Sequence, residues 1–196
     1  MKNFRYVLFF LFCVSSSVVI ADNERYTLDE THLSVGFLVD HAGYAKTLGM
    51  FTNASGSFMY DEEKGVVSDV QIVIDTSSVF TNHEKRDSHL RSPDFLNVDK
   101  YPEMTFMANT NNLKTNPGKI EGTLTLLGVS KPLTLNAKIN KIDIYPFRIG
   151  LSKPLVIGVS ASATFKRSDF GMNYAVEKKL VGDEINLIIE FEARQE

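Results

Sequence analysis

Apolar residues recur at every second position through most of the chain. Val35, Phe37 and Val39 alternate with Gly36, Leu38 and Asp40, and His41 continues the first of these faces. Val70, Ile72 and Ile74 alternate with Gln71, Val73 and Asp75, while Met104, Phe106 and Ala108 follow Pro102. Ile120, Gly122, Leu124 and Leu126 share a face. So do Leu133, Leu135, Ala137 and Ile139, with Ile142, Ile144 and Phe147 suggesting an extension. Ile157, Val159, Ala161, Ala163 and Phe165, then Ile185, Leu187, Ile189 and Phe191, complete the pattern. With a further strand over 51–60, the spacing predicts about eight strands, each with an apolar and a polar face.

Alternation of this kind, in place of continuous apolar runs, marks antiparallel strands with one face in water. The separating sequences are short and rich in turn formers: Asp61-Glu62-Glu63-Lys64-Gly65, Asn116-Pro117-Gly118-Lys119, Gly128-Val129-Ser130-Lys131-Pro132 and Gly182-Asp183. Connections of that length join hairpin neighbours. The expected fold is all-β, an up-and-down sheet closed as a barrel or folded as a sandwich. Two segments depart from period two. Residues 82–90 read as a helix capped by Thr81 or Asn82 and ended before Pro93. Residues 173–180 are a weaker helical candidate, and both are expected to lie across an open end of the barrel.

Residues 1–21 have another pattern. Lys2 and Arg5 precede an unbroken apolar run over 6–14, and the segment closes on Val19-Ile20-Ala21. This is the form of a secretory signal peptide cut after Ala21, and the apolar stretch is short of the ~20 residues a spanning helix needs. Cleavage would leave 175 of 196 residues and, with Lys2 and Arg5 gone, move the net charge from −3 to −5. It would also remove Cys13, the only cysteine. The exported domain, 22–196, is then expected to contain no disulfide, thiol nucleophile or Cys-ligated metal, and to be stabilised by its core alone. Its acidic balance argues against nucleic acid as a partner.

Candidate chemistry is sparse. The chain contains no Gly-x-Ser-x-Gly elbow, phosphate-binding glycine loop, dinucleotide fingerprint or His-Glu-x-x-His helix. His83 and His89 are six apart, which on a helix puts them on different faces, so no metal site is expected. His41 is a polar ring in line with an apolar stripe, and is either a satisfied rim residue or a contact at a cavity mouth. The densest polar group is Arg86-Asp87-x-His89-Leu90, followed by Asp94-Phe95; Arg167-x-Asp169-Phe170 is similar in kind. An Arg in such a cluster forks onto an anionic ligand or fixes a helix through a buried Asp.

Tyr26-x-Leu-Asp29-x-x-His32, Phe37-x-Val-x-His41, Thr81-x4-Arg86-Asp87-x-His89-Leu90, Lys100-Tyr101-Pro102, Gly122-Thr-Leu124-Thr, Gly128-Val-Ser-Lys131-Pro132, Arg167-x-Asp169-Phe170-Gly171 and Val181-Gly182-Asp183 stand in one order along the chain. In that order and spacing they resemble the YceI-like family over 26–193. The resemblance implies an antiparallel, lipocalin-like barrel of about eight strands with short helices closing its ends. It further implies a periplasmic protein that holds a polyisoprenoid or similar lipid chain.

A barrel of eight strands has room for packed side chains or for one ligand. Gly122, Ala108, Ala137, Ala161 and Ala163 on inward stripes are expected to leave volume unfilled. The candidate wall for a lipid tail is Phe37, Val39, Phe58, Ile72, Phe106, Leu124, Leu135, Ala161, Ala163 and Phe165. Candidates for its head group are His41, Arg86, His89, Arg167, Asp169 and Phe170. Each CH₂ moved from water into such a tunnel contributes roughly 0.8 kcal/mol, so no cofactor or catalytic group is required. Lipid carriage implies transient membrane contact, and homodimerisation stays open. Two other readings follow from the same residues: an enzyme acting on a lipid head group through His41 with Asp29 or Asp87, and a filled-core stress protein without ligand.

Overall fold

The computed structural model describes residues 23–113 and 115–196, so the signal-peptide reading and the cut after Ala21 lie outside the described residues. Eleven strands form in chain order: β1 (Glu24–His41), β2 (Ala45–Phe51), β3 (Ala54–Asp61), β4 (Val66–Asp75), β5 (Val79–Phe80), β6 (Glu103–Ala108), β7 (Asn111–Asn112), β8 (Gly118–Leu126), β9 (Val129–Ile144), β10 (Leu155–Lys166) and β11 (Val181–Gln195). All pairings are antiparallel. Eight of the strands, β1-β3-β4-β6-β8-β9-β10-β11, make a ring that closes where β11 pairs with β1, from Tyr26 against Gln195 to His41 against Val181. The ring is an up-and-down barrel, which removes the free edges of an open sheet.

Strand β1 is long because it serves two neighbours on one side. Its first residues pair with β3, and its second half pairs with β2, which carries β5 beyond it. The 51–60 segment is therefore two strands: β2 ends at Phe51 and β3 begins at Ala54, with Thr52 and Asn53 turning between them.

One end of the barrel is capped. Helix α1 (Glu84–Arg91) lies between β5 and β6. Its N-cap is His83, whose Nδ1 accepts from the Arg86 amide at 3.2 Å, and not Thr81 or Asn82. Asn82 is left-handed (φ 59°), unlike the extended backbone a cap adopts, and the Thr81 hydroxyl is already bonded to Asp87. Residues 173–180 form successive turns and no helix, because Ala175 (φ 58°) and Lys179 (φ 53°) interrupt the right-handed run. A 3₁₀ turn, Arg167–Phe170, precedes them.

Candidate functional site

The inward stripes enclose an apolar cavity of about 190 Å³. One ordered water takes ~10–15 Å³ on that measure, and an empty cavity this size persists only when its wall is apolar. Here the wall is hydrocarbon and aromatic, and Tyr60 and Arg167, which also line it, present no polar atom to it. It runs from Leu90, Phe95 and Leu96 under the cap to Tyr60, Leu113 and Ile139 at the other end. Nine of the ten residues expected along a lipid tail line it: Phe37, Val39, Phe58, Ile72, Phe106, Leu124, Leu135, Ala161 and Phe165. Ala163 is buried in the core without reaching the cavity.

The small residues do less than expected to make this space. A Cβ on Gly122 would stand 2.4 Å from the Phe106 ring tip and 2.6 Å from the Met107 carbonyl oxygen. Phe106 thus fills the place over Gly122, as Phe37 fills the place over Gly49. In both cases a glycine is needed for a neighbour's ring and not for a ligand.

The candidate head-group residues gather at the capped end, where the structure uses most of them to hold the cap. Arg167 is 1% exposed. Its Nε donates to the Gly182 carbonyl at 2.7 Å, Nη1 to Met172 at 2.9 Å, and Nη2 to Tyr174 at 2.8 Å and Val181 at 2.9 Å. Burial pulls its pKa down, with Asp183 opposing that effect, and the guanidinium also lies over the Phe95 ring at 5.7 Å. Its donors are therefore committed to the chain itself. Arg86 donates from Nε and Nη2 to the hydroxyl and carbonyl of Thr81, both at 2.7 Å, and Thr81 in turn donates its amide to buried Asp87 at 2.9 Å. This is the helix-fixing alternative, with Thr81 joining the two charged groups. His89 Nε2 is 2.9 Å from Asp94 Oδ2, and its ring packs edge-on to Phe95 and Tyr174. Phe170 is buried against Phe165, away from the cavity, and Asp169 is exposed.

The stripe that begins at Val35 stops at Val39. A register irregularity separates Val39 from His41, and the His41 side chain is exposed at the strand end with no polar partner among the described residues. Asp87 belongs to Thr81, and Asp29 lies toward the opposite end of β1. Neither carboxylate considered for chemistry at His41 is thus brought to it.

A comparison with known proteins agrees with this geometry. The model of the YceI-like domain matches residues 26–193. The chain belongs to the YceI-like family. It is 37% identical over 184 residues to Protein YceI of Shigella flexneri, covering 93% of this chain and 91% of that one. The crystal structure of a Campylobacter jejuni YceI protein is 32% identical, with a TM-score of 0.70 over 80% of this chain and 90% of that one. A polyisoprenoid-binding domain from Saccharophagus degradans, 18% identical, shares the fold with a TM-score of 0.62 over 87% of this chain and 98% of its own.

This YceI-like barrel also carries a polar cluster on its outer wall, in which Asp29 and His32 of the first motif meet Glu192 and Arg194, two residues the sequence reading did not name. Between Leu28 and Leu33 the β1–β11 register shifts, and the chain folds Asp29 back under Thr31 and His32. His32 Nδ1 is 2.9 Å from Asp29 Oδ2 and 3.8 Å from Glu192 Oε2, and the Arg194 guanidinium donates to Asp29. Burial opposes ionisation of Asp29, but hydrogen bonds from His32, Thr31 and Arg194 outweigh it and hold the carboxyl well below the ordinary range. The bond to Asp29 raises the His32 pKa. Asp29, His32 and Glu192 converge closely enough to hold a cation, and Arg194 already supplies one. In the YceI-like fold this cluster rivets the seam between β1 and β11.

Proposed function

We propose that this chain is an exported, periplasmic binding protein that holds a long isoprenoid-type lipid, such as a polyprenyl phosphate or a quinone, for transport, storage or protection. One observation carries the reading: an apolar cavity runs from the cap to the far mouth, and the one charged group on its wall, Arg167, has its donors committed to main-chain carbonyls. Such a site binds by hydrocarbon burial, at roughly 0.8 kcal/mol per CH₂, and offers a substrate no reactive group. Membership of the YceI-like family and the fold shared with a polyisoprenoid-binding domain support the same ligand class. Export is supported by the charged start, apolar run and small-residue end of 1–21.

Native mass spectrometry of protein purified from its host tests both parts. The expected result is a chain beginning at Asp22 with a co-purifying hydrophobic mass that organic solvent removes. Apo protein that takes up no added solanesol, a long polyprenyl alcohol, overturns the ligand reading. A mature chain that retains residues 1–21 overturns cleavage after Ala21.

A further inference from the structure

The inward stripe of β9 changes parity before it leaves the barrel. Leu133, Leu135, Ala137 and Ile139 point inward at odd positions. A bulge then inserts Asn140 opposite the Gly158–Val159 step, and the stripe continues at even positions as Ile142 and Ile144. Cross-strand pairs follow the same path: Ile139 with Val159, Ile142 with Ile157, Ile144 with Leu155. Ile139 lines the cavity and also a cleft of about 300 Å³ at the uncapped end, where it meets Ile142, Tyr60 and Asn116. Beyond that cleft the apolar path emerges into solvent, with Ile144 54%, Phe147 69% and Leu151 96% exposed.

We propose that this β9–β10 hairpin, 140–155, is a membrane-docking element that seats the uncapped mouth on an anionic lipid surface. The proposal rests on the lipid-holding reading and adds where the chain enters. Three features favour a membrane. The hairpin tip has a fixed form, since the Ile149 amide donates to the Ser152 carbonyl at 2.9 Å, the Tyr145 amide to the Pro154 carbonyl at 2.8 Å, and the Tyr145 and Phe147 rings meet edge-on at 5.9 Å. Its charge is opposite to that of the chain. Lys141 is neutralised by Asp143 at 2.8 Å, which leaves Arg148 and Lys153 without a carboxylate partner among the described residues, on a protein of net charge −3. Finally, the patch is small. Three side chains fall well short of the ~800 Å² per partner that a stable protein interface buries, but they suit shallow insertion between head groups with flanking cations on anionic lipid.

The test uses the whole mature protein and vesicles of phosphatidylcholine and phosphatidylglycerol in equal parts. Wild-type protein is expected to co-sediment with them, to lose binding at high salt, and to bind pure phosphatidylcholine about tenfold more weakly. The double variant Phe147→Ser/Leu151→Ser and the charge variant Arg148→Glu/Lys153→Glu should each bind about tenfold more weakly, with unchanged circular dichroism. A control at the capped end, Tyr44→Ser/Leu48→Ser, should bind as wild type does. Solanesol delivered from detergent separates the two ideas, because all variants should take it up equally while the hairpin variants extract it from vesicles more slowly. The docking proposal is overturned by wild-type binding in the hairpin variants, by loss of binding in the capped-end control, or by a solution dimer that the hairpin variants abolish. Loss of detergent-delivered uptake in wild type overturns the lipid reading instead.

Discussion

At the capped end a buried guanidinium, a buried carboxylate and a buried hydroxyl are all bonded within the cap, through Arg167, Asp87 and Thr81. At the opposite end Phe147 and Leu151 stand in solvent beside Arg148 and Lys153, which have no carboxylate partner among the described residues. Both ends also expose apolar side chains, Tyr44 and Leu48 at the capped one, but the buried polar groups of the cap are already committed to one another. A polar cluster near a cavity therefore becomes evidence of binding only after its internal hydrogen bonds have been counted.

The contrast breaks most visibly at Arg167. Arg167→Met leaves four carbonyls without their donor and should destabilise the fold by about 4 kcal/mol, lowering the thermal midpoint by about 10 °C in a circular dichroism melt. Arg167→Lys should recover little, because an ammonium offers three donors in the wrong geometry. A variant that melts with wild type would mean that Arg167 is free for a ligand after all.

The outer cluster comes next. Asp29→Asn removes a buried, hydrogen-bonded carboxylate and should cost about 2 kcal/mol in urea titrations near neutral pH. Its pH signature has two arms. The pKa of Asp29 is depressed on folding, so its contribution is present above the unfolded carboxylate pKa of ~3.9 and is lost as pH falls through the folded value. The pKa of His32 is raised on folding, so its contribution is complete below ~6.5 and is lost as pH rises through the folded value. Wild-type stability due to this pair should peak between those limits, and Asp29→Asn should flatten both arms.

Smaller effects sharpen the comparison. Gly122→Ala forces the Phe106 ring away from a Cβ that also meets the Met107 carbonyl, and should cost about 1–2 kcal/mol in the same titration. Phe147→Ser/Leu151→Ser should move stability by only about 0.5 kcal/mol, since both side chains are largely exposed and the ring of Phe147 meets that of Tyr145 outside the core. A large loss there would place the hairpin tip in the core and remove the difference between the two ends.

The barrel was legible in the sequence wherever alternation was clean, as in β8, β10 and the second half of β1. It failed where alternation lost its carriers. Gly49 faces inward in β2 with no side chain to announce it, and the bulge at Asp29–His32 hides the first half of β1 by setting inward Leu28 and Leu33 five apart. The residues of the cavity wall were legible because facing inward is a matter of parity. The role of Arg167 in the cap was not legible because its partners are main-chain carbonyls, which every residue carries and no motif marks.

The seam between β1 and β11 sets the order in which the molecule can be finished. Tyr26 must meet Gln195, so nearly the whole chain has to exist before the ring can shut. Until then β1 and β11 are exposed sheet edges, and the contact that closes them has the greatest sequence separation in the barrel. A nascent chain is thus kept from completing its fold prematurely by topology alone.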